Sequence, residues 1–310
     1  MKERKILVAG GSGMVGSSIL RKLKEHGYNN LLLPKRSELD LLDQSSVYHY
    51  LKKNKPDFIF IAAAKVGGIL ANDNFSADFL FENLQIQNNL IHGAHLADIN
   101  NIIFLGSSCV YPRMAPQPIK EEYLLTGPFE KTNEGYAIAK ISGIKLCEHY
   151  KKQYNRNYYS VMPTNLYGLN DNYDLRNSHV LPALIKKIHD AKENEKKEIM
   201  IWGSGEPKRE FLYVDDLADA CIHLMKINYT GEIINIGTGK DLTITDLAKK
   251  IISIVGVKVK LKYDKNYPDG TPRKVLDVSK ILGLGWKPKI TLEEGIRLTY
   301  LNTFIKKNEK

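Results

Sequence analysis

The chain has 310 residues, 43% of them hydrophobic and 26% charged, with a formal net charge of +10. These values are ordinary for a globular protein, and the length allows two lobes with buried cores. Three scattered cysteines, Cys109, Cys147 and Cys221, exclude a disulfide framework, and no CxxC pair suggests zinc. No run of about 20 apolar residues predicts a membrane span, and residues 1–5 lead into a strand rather than a signal peptide. We therefore expect a cytoplasmic protein with no metal site and no membrane partner.

The positive charge has two interpretations, a polyanionic partner or a lysine-rich solvated surface. Lysines are scattered among acids, and no helix shows a basic stripe with interleaved aromatic residues. We therefore expect a solvated surface and no nucleic-acid partner.

The first predicted element is a buried parallel strand over residues 5–9, followed at once by a glycine-rich turn. Gly10, Gly13 and Gly16 stand three residues apart, and a helix begins at Ser17. In that context glycine allows a tight turn and a close approach of backbone to a pyrophosphate, which the helix N-terminus then favours. The strand, turn and helix together predict a dinucleotide site.

The second predicted strand, residues 30–34, ends in two cations, Lys35 and Arg36. An acid near this position binds the ribose 2′-hydroxyl of NAD, whereas a cation suits the 2′-phosphate of NADP. We infer NADP, with Arg36 as the better partner because a guanidinium forks onto phosphate. Asp40 and Asp43 are possible acids nearby, so NAD remains an alternative.

Further strands are expected at residues 57–62 and 101–105, with a helix over 83–97 between them. The alternation predicts an α/β fold with a doubly wound parallel sheet of Rossmann type. Ligands of such sheets bind beyond the carboxyl ends of the strands. Ser107 and Cys109 follow directly after the strand that ends at residue 105.

A helix from about residue 135 to 150 carries Tyr136 and Lys140, which lie on one face because residues four apart are neighbours. A phenol, a lysine and the preceding Ser107 can together donate a proton to a ketone that receives a hydride. After a further strand at 160–163, the polar residues 170–178 predict a boundary into a second, smaller lobe. Residues 306–310 are expected to be a frayed tail.

The glycine turn, Ser107 and the Tyr136-x-x-x-Lys140 pair resemble the extended short-chain dehydrogenase/reductases. Longer stretches are similar to the GDP-L-fucose synthase family, over about residues 5–300. These stretches are residues 62–69, 104–112, 160–168, 177–180, 202–205 and 269–274. That family takes GDP-4-keto-6-deoxy-D-mannose, epimerises C3 and C5, and reduces the C4 ketone with NADPH.

The resemblance implies two units. Residues 1–166 and about 211–237 would form the NADP-binding Rossmann domain, and residues 167–210 and about 238–310 the substrate-binding lobe, a smaller C-terminal α/β unit. It also implies a homodimer and the following cofactor contacts: Gly10, Gly13, Met14, Val15, Gly16, Arg36, Leu105, Gly106, Lys140, Pro163, Asn165, Leu166 and His179.

The resemblance assigns a reductive group and an epimerising pair. Tyr136 is expected to be the acid, its pKa lowered by Lys140 and by the oxidised nicotinamide, with Ser107 donating to the ketone oxygen. Cys109 is the expected base and His179 the expected acid on opposite faces of the ring.

For substrate binding, Lys187 and Arg209 are expected at the diphosphate. Trp202 is expected to pack on the sugar or guanine, or alternatively in a core. Asp269 is expected to accept from hydroxyl groups.

Three positions depart from the family. Ser12 stands where many members have Arg beside the 2′-phosphate, Gly135 where they have Pro, and Lys187 where they often have Arg. Related reductases act on GDP-4-keto-heptoses made for surface polysaccharide, and some of them only reduce. A GDP-4-keto-heptose C4 reductase with little or no epimerase activity is therefore the alternative.

Overall fold

A computed structural model describes residues 2–267 and 269–305. The tail expected at residues 306–310 lies outside the described residues. The elements of the first half of the chain are β1 (Ile6–Ala9), α1 (Met14–Glu25), β2 (Leu31–Leu32), α2 (Gln44–Asn54), β3 (Phe58–Ile61), α3 (Ile69–Asn74), α4 (Ser76–Leu96), β4 (Asn101–Leu105), α5 (Glu134–Tyr154) and β5 (Asn157–Pro163).

The second half contributes further strands and helices. These elements are β6 (Asn165–Tyr167), α6 (Val180–Glu193), β7 (Glu198–Trp202), β8 (Lys208–Tyr213), α7 (Val214–Lys226), β9 (Ile233–Ile236), β10 (Asp241–Thr243), α8 (Ile244–Val255), β11 (Lys260–Asp264), β12 (Arg273–Lys274), α9 (Ser279–Gly283) and α10 (Leu292–Tyr300).

A six-stranded parallel sheet in the order β2-β1-β3-β4-β5-β9 forms the centre of the molecule. All four residues of β1 and of β3 are buried, as expected for strands covered by helices on both faces. Helices α2, α4 and α5 pack together, and α1 packs on α7. The prediction of a doubly wound α/β fold is confirmed.

A second hydrophobic cluster lies among α6, α8, α10 and the strands β7 and β8. In this region β8 pairs with β10, β12 and β6, and β7 pairs in parallel with β11. Leu276, Ile281 and Trp286 pack into the first core rather than the second. The proposed division into lobes stays a prediction, since these late residues lie against the Rossmann core.

Several elements differ in extent from those expected. Helix α1 begins at Met14 and α4 at Ser76, each earlier than predicted. Helix α2 was not predicted; Asp43 caps it by accepting from the amide of Ser46 at 3.2 Å.

Candidate active site

Ser107 and Cys109 lie in the first turn beyond the carboxyl end of β4. Ser107 is extended and precedes a short 3₁₀ turn, Ser108–Val110. Its hydroxyl oxygen accepts from the amide of Cys109 at 3.2 Å. Both residues are half-buried, so they line the mouth of the sheet without being sealed in the core.

Lys140 is buried beneath this turn on α5. Its ammonium donates to the carbonyl oxygen of Leu105 at 2.7 Å and stands 4.7 Å from the centre of the Phe104 ring. Burial lowers the pKa of Lys140 to about 7, because the charged form loses its hydration. The ammonium is 5.9 Å from the centre of the Tyr136 ring, one helical turn away.

Tyr136 and Ser107 come together as expected. Burial and the neighbouring Cys109 raise the pKa of Tyr136, and a hydrogen bond from the Ser107 side chain partly offsets that rise. Tyr136 therefore remains a protonated phenol, which is the form that a proton donor requires. Lys140 is not among the groups that raise or lower the pKa of Tyr136, and its ammonium donates to the carbonyl of Leu105. The predicted lowering also depends on the oxidised nicotinamide, so it stays a prediction for the cofactor-bound site.

Cys109 has a cationic partner that sequence reasoning missed. The ammonium of Lys274, on β12, donates to the sulfur of Cys109 at 3.5 Å. Burial alone would raise the pKa of this thiol, but Lys274, with Ser107 and Arg209, outweighs burial and lowers it. The signal was present, because Lys274 ends the stretch 269–274 that carries part of the family resemblance.

His179 is the residue directly before α6 and is exposed. Two backbone hydrogen bonds hold the segment before His179. The amide of Ser178 donates to the backbone carbonyl of Asp174 at 2.8 Å, and the amide of Gly68 donates to the carbonyl of Asn177 at 2.9 Å. Crowding by protein atoms and then the charge of Lys274 lower the pKa of His179. Lys274 thus contacts Cys109, and its charge also contributes to the lowered pKa of His179.

The glycine turn meets the end of β3 at the reversal of strand order. Gly10 has φ +86°, and a Cβ there would lie 2.6 Å from the amide nitrogen of Ala63. A Cβ on Gly16 would lie 2.1 Å from the carbonyl oxygen of Gly10. No side chain caps α1 and its first turn has no acid, so its amides suit a pyrophosphate. Met14 and Val15 contribute amides to the same turn, so this part of the chain fits a dinucleotide.

Arg36 is exposed beyond β2. The acids that kept NAD as an alternative have other partners: Asp43 also accepts from the hydroxyl of Ser46 at 2.8 Å, and Asp40 accepts from the amide of Leu42 at 3.0 Å. Both carboxylates are therefore used in local turns, which favours the interpretation with Arg36.

The other predicted cofactor contacts lie at neighbouring strand ends. Gly106 follows β4 and donates to the carbonyl of Val161 at 2.9 Å. Pro163 ends β5, and Asn165 and Leu166 belong to β6. The side-chain Nδ2 of Asn165 donates to the backbone carbonyl of Glu210 at 2.7 Å, which ties this edge of the sheet to β8.

Trp202 lies at the end of β7 with 40% of its surface exposed, so it is not a core residue. The Tyr267 ring stacks on it with centroids 4.3 Å apart and planes 5° from parallel. The ammonium of Lys187 lies 4.8 Å from the Trp202 ring centre and donates to the carbonyl of Met200 at 3.0 Å. Tyr267 and Lys187 thus cover part of the ring expected to receive substrate.

Arg209 and Asp269 are joined at the other side of this region. The guanidinium of Arg209 donates to the backbone carbonyls of Lys208 at 2.9 Å and Asp269 at 3.3 Å. The carboxylate of Asp269 accepts from the amide and hydroxyl of Ser204 at 2.7 and 2.8 Å. Asp269 therefore shapes the turn around Gly203, whose Cβ would meet its oxygen at 2.2 Å.

Across residues 2–267 and 269–305, no group of three or more His, Cys, Asp or Glu side chains is arranged to hold a metal ion. Over the same ranges, no helix has both the length and the hydrophobicity needed to cross a membrane.

Comparisons with known proteins agree with this geometry. The model of the NAD dependent epimerase/dehydratase family matches residues 6–237. A putative GDP-L-fucose synthase 2 from Arabidopsis thaliana is 55% identical over 300 residues, covering 96% of this chain and 91% of that protein. The GDP-L-fucose synthase of Escherichia coli strain K12 is 49% identical over 309 residues, covering 97% and 96%.

A solved structure shares the whole fold. The GDP-mannoheptose C4 reductase of Campylobacter jejuni with NADP bound superposes with a TM-score of 0.88 at 39% identity, covering 97% of this chain and 98% of that one. The parallel sheet, the glycine turn and these full-length similarities together show that the chain belongs to the NAD dependent epimerase/dehydratase family and, within it, to the GDP-L-fucose synthase family.

Proposed function

We propose that the protein converts GDP-4-keto-6-deoxy-D-mannose to GDP-L-fucose by 3,5-epimerisation followed by NADPH-dependent reduction of the C4 ketone. The observation that carries this proposal is the convergence of Ser107, Tyr136 and Cys109 beyond β4, with the Cys109 sulfur 3.5 Å from the Lys274 ammonium. Proton donors for a ketone oxygen therefore lie near a thiol whose pKa is lowered. The GDP-L-fucose synthases similar to this chain over their full length support the choice of sugar.

The enzyme is an oxidoreductase of a nucleotide sugar that uses NADP(H). Bound NADPH supplies the hydride that reduces C4. We propose that the first-turn amides of α1, at Gly13 to Gly16, hold its pyrophosphate and that Arg36 holds the 2′-phosphate. The backbone at Leu105, Gly106 and Pro163 would border the nicotinamide end, since those residues end adjacent strands.

For reduction, we assign Tyr136 as the acid. Its protonated phenol would give a proton to the C4 oxygen as negative charge develops there, and Ser107 would donate a second hydrogen bond to the same oxygen. Lys140 anchors the loop through the carbonyl of Leu105. Its own proton is labile near neutral pH, so it can replace the proton that Tyr136 loses.

For epimerisation, we assign Cys109 as the base and His179 as the acid. The thiolate removes the proton from the carbon next to the ketone, and the electrons of the broken C–H bond form an enolate. Ser107 and Tyr136 would hydrogen-bond to the enolate oxygen. Protonation from the opposite face inverts the carbon. His179, exposed at the entrance, can recover its proton from solvent after each inversion.

The remaining proposed contacts bind the nucleotide. Arg209, whose guanidinium is fixed by two backbone carbonyls, suits the diphosphate because its fork is already oriented. Lys187, Trp202 and Asp269 border the same region. Since Tyr267 and Lys187 lie against Trp202, packing of a base on that ring requires one of them to move aside.

The second candidate is a C4 reductase of a GDP-4-keto-heptose for surface polysaccharide, with little or no epimerase activity. The full-length similarity to the Campylobacter reductase favours it. Both candidates share Ser107, Tyr136 and Lys140, so they differ in whether Cys109 and His179 move protons.

One experiment separates them. The protein is incubated in deuterated water with NADPH and GDP-4-keto-6-deoxymannose, and the product is analysed for deuterium. Deuterium at C3 and C5 of a fucose product is expected. NADPH consumption without deuterium would leave only a reductase, and turnover of a keto-heptose alone would refute the proposed substrate.

We further propose a cytoplasmic homodimer formed through α4 and α5. These two helices pack side by side and expose Phe81, Leu96 and Ile138, with 64%, 58% and 40% of their surfaces accessible. Exposed apolar residues on adjacent helices favour association with a second copy. Light scattering on the purified protein tests this, and a monomer at micromolar concentration would contradict it.

A further inference from the structure

Lys274 reaches the site from a part of the chain far from Cys109 in sequence. It lies on β12, and its half-buried ammonium donates to the Cys109 sulfur. The adjacent cation behaves differently: Arg273 is exposed and pairs with Asp241 at 2.6 Å. Two neighbouring cations thus have separate partners, and Lys274 is the one directed at the thiol.

We propose that Lys274 is the residue that holds Cys109 as a thiolate and so makes it the base for epimerisation. This rests on the proposed function, in which Cys109 removes the ring protons. Lys274 itself acts as a positioning residue, because it works through the sulfur and transfers no proton to the sugar. An ammonium at hydrogen-bond distance stabilises a thiolate by direct attraction.

The backbone of Lys274 is held on both sides. The Gln117 side chain donates to the carbonyl of Arg273 at 3.1 Å and accepts from the amide of Val275 at 3.0 Å. Gln117 belongs to the loop that follows Cys109, so the loop that carries the thiol is hydrogen-bonded to the strand that carries the ammonium. These hydrogen bonds help to fix the distance between Lys274 Nζ and Cys109 Sγ.

Strand β8 supports Lys274 from the other direction. In the parallel pairing of β12 with β8, Lys274 lies opposite Arg209. The buried carboxylate of Glu210 accepts from the amide of Leu276 at 2.9 Å and from the amide of Gly239 at 2.7 Å. These contacts fix the segment that contains Lys274 to the centre of the second sheet.

The charged groups around Cys109 favour its ionisation. Lys274 and Arg209 act in that direction, and Tyr136 responds to the thiolate by holding its own proton more tightly. Glu130 lines the small cavity of about 30 Å³ beside Cys109 and pairs with Arg113 at 3.0 Å. A cavity of this size holds about one water molecule beside the Lys274 contact.

The charge of Lys274 also affects His179. Desolvation and then Lys274 lower the pKa of His179, and Lys274 lowers that of Cys109, which favours the unprotonated form of both groups. The thiolate takes a proton from the sugar carbon and becomes a thiol, while the C–H electrons enter the enolate. His179 must then draw its proton from solvent, which its exposure allows.

The test measures the ionisation of Cys109 in the free protein. The variants are Lys274→Met, Lys274→Arg and, as the neighbouring control, Arg273→Met. Alkylation by iodoacetamide is followed against pH, with Cys109 identified by peptide mass spectrometry. Cys147 and Cys221 are buried and serve as internal references for folding.

We expect Lys274→Met to raise the alkylation midpoint by about one pH unit or more, since an adjacent opposite charge shifts a pKa by about 1 to 3. Lys274→Arg should keep most of the low midpoint, and Arg273→Met should match the parent protein. An unchanged alkylation midpoint in a folded Lys274→Met protein would overturn the proposal. If KM for the GDP-sugar rose while the midpoint stayed the same, Lys274 would serve only to bind phosphate, and the proposal would again fail.

Exchange measurements separate this proposal from the proposed function. Lys274→Met should lose deuterium exchange at C3 and C5 more than tenfold while it still reduces a ketone that is already epimerised. Another outcome is that the parent protein exchanges no deuterium while Lys274→Met still shifts the Cys109 alkylation midpoint as expected. That result would refute the proposed epimerase function, and the role of Lys274 in epimerisation would fail with it. Equal loss of exchange and reduction would also overturn the proposal.

Discussion

Gly135 packs directly against the main chain of Ser76, so that a Cβ at position 135 would lie 2.8 Å from the Ser76 carbonyl oxygen. Gly135 is in the first turn of α5, next to Tyr136, and Ser76 begins α4. The absence of a side chain lets the two helices approach at the point where the phenol enters the site. Glycine, where the family usually has proline, therefore allows the close contact between α4 and α5.

Gly135→Ala is expected to destabilise the protein by about 1 to 3 kcal/mol, because a backbone carbonyl cannot turn aside as a flexible side chain does. Reduction should also slow, since the shift of α5 moves Tyr136. Thermal unfolding and NADPH consumption measure both effects. Gly283→Ala is the control, because a Cβ there meets nothing within 4 Å; equal destabilisation of the two variants would contradict the packing argument.

Tyr136→Phe is expected to lower the rate of C4 reduction by about 10²-fold or more, because the ketone oxygen loses its proton donor. NADPH binding should persist, as the ring is retained. Tyr154→Phe on the same helix is the control, since Tyr154 is exposed and far along α5. A Tyr136→Phe protein with near-normal reduction would show that another group supplies the proton.

Cys109→Ala is expected to stop deuterium exchange at C3 and C5 and to leave reduction of a pre-epimerised ketone within about tenfold of normal. The reason is that the two steps share the oxyanion donors and use different proton donors and acceptors. Cys147 is buried on α5, so the control Cys147→Ala should lower the stability of the protein and keep deuterium exchange at C3 and C5. Normal exchange in Cys109→Ala would place the base elsewhere.

Arg36→Ala is expected to weaken NADPH binding by about 1.5 to 3 kcal/mol, the value of hydrogen bonds to a charged group. NADH binding should change little, because NADH has no 2′-phosphate. Isothermal titration with both cofactors measures the difference, with Lys35→Ala as the neighbouring control. The same loss for NADPH and NADH would refute recognition of the phosphate by Arg36.

The stability of the protein should rise with pH relative to a Lys140→Met variant between about pH 7 and 10. Burial lowers the pKa of Lys140 from 10.5 to about 7, so in this window the unfolded chain binds a proton that the folded protein lacks. The penalty for a buried charge is complete below pH 7 and is relieved as pH rises. Denaturant unfolding of both proteins across this range measures it, and a constant difference would contradict the shift.

Local sequence was sufficient for the nucleotide half of the molecule. A buried strand, a glycine turn and a helix are neighbours in the chain, so β1, Gly10 and α1 could be predicted, and the sheet followed from the alternation of elements. The shared face of Tyr136 and Lys140 is likewise a helical spacing. The short strands β10 and β12 were not predicted, because they exist only through pairing with β8.

The strand, turn and helix of the nucleotide half and the shared face of Tyr136 and Lys140 follow from the sequence, because those interactions are local. The neighbours of each titratable group in the site depend on the tertiary structure. Lys140 donates to the carbonyl of Leu105, and Lys274 approaches Cys109 from 165 residues away. Burial and the distance between charges control ionisation, and both depend on which segments the fold brings together.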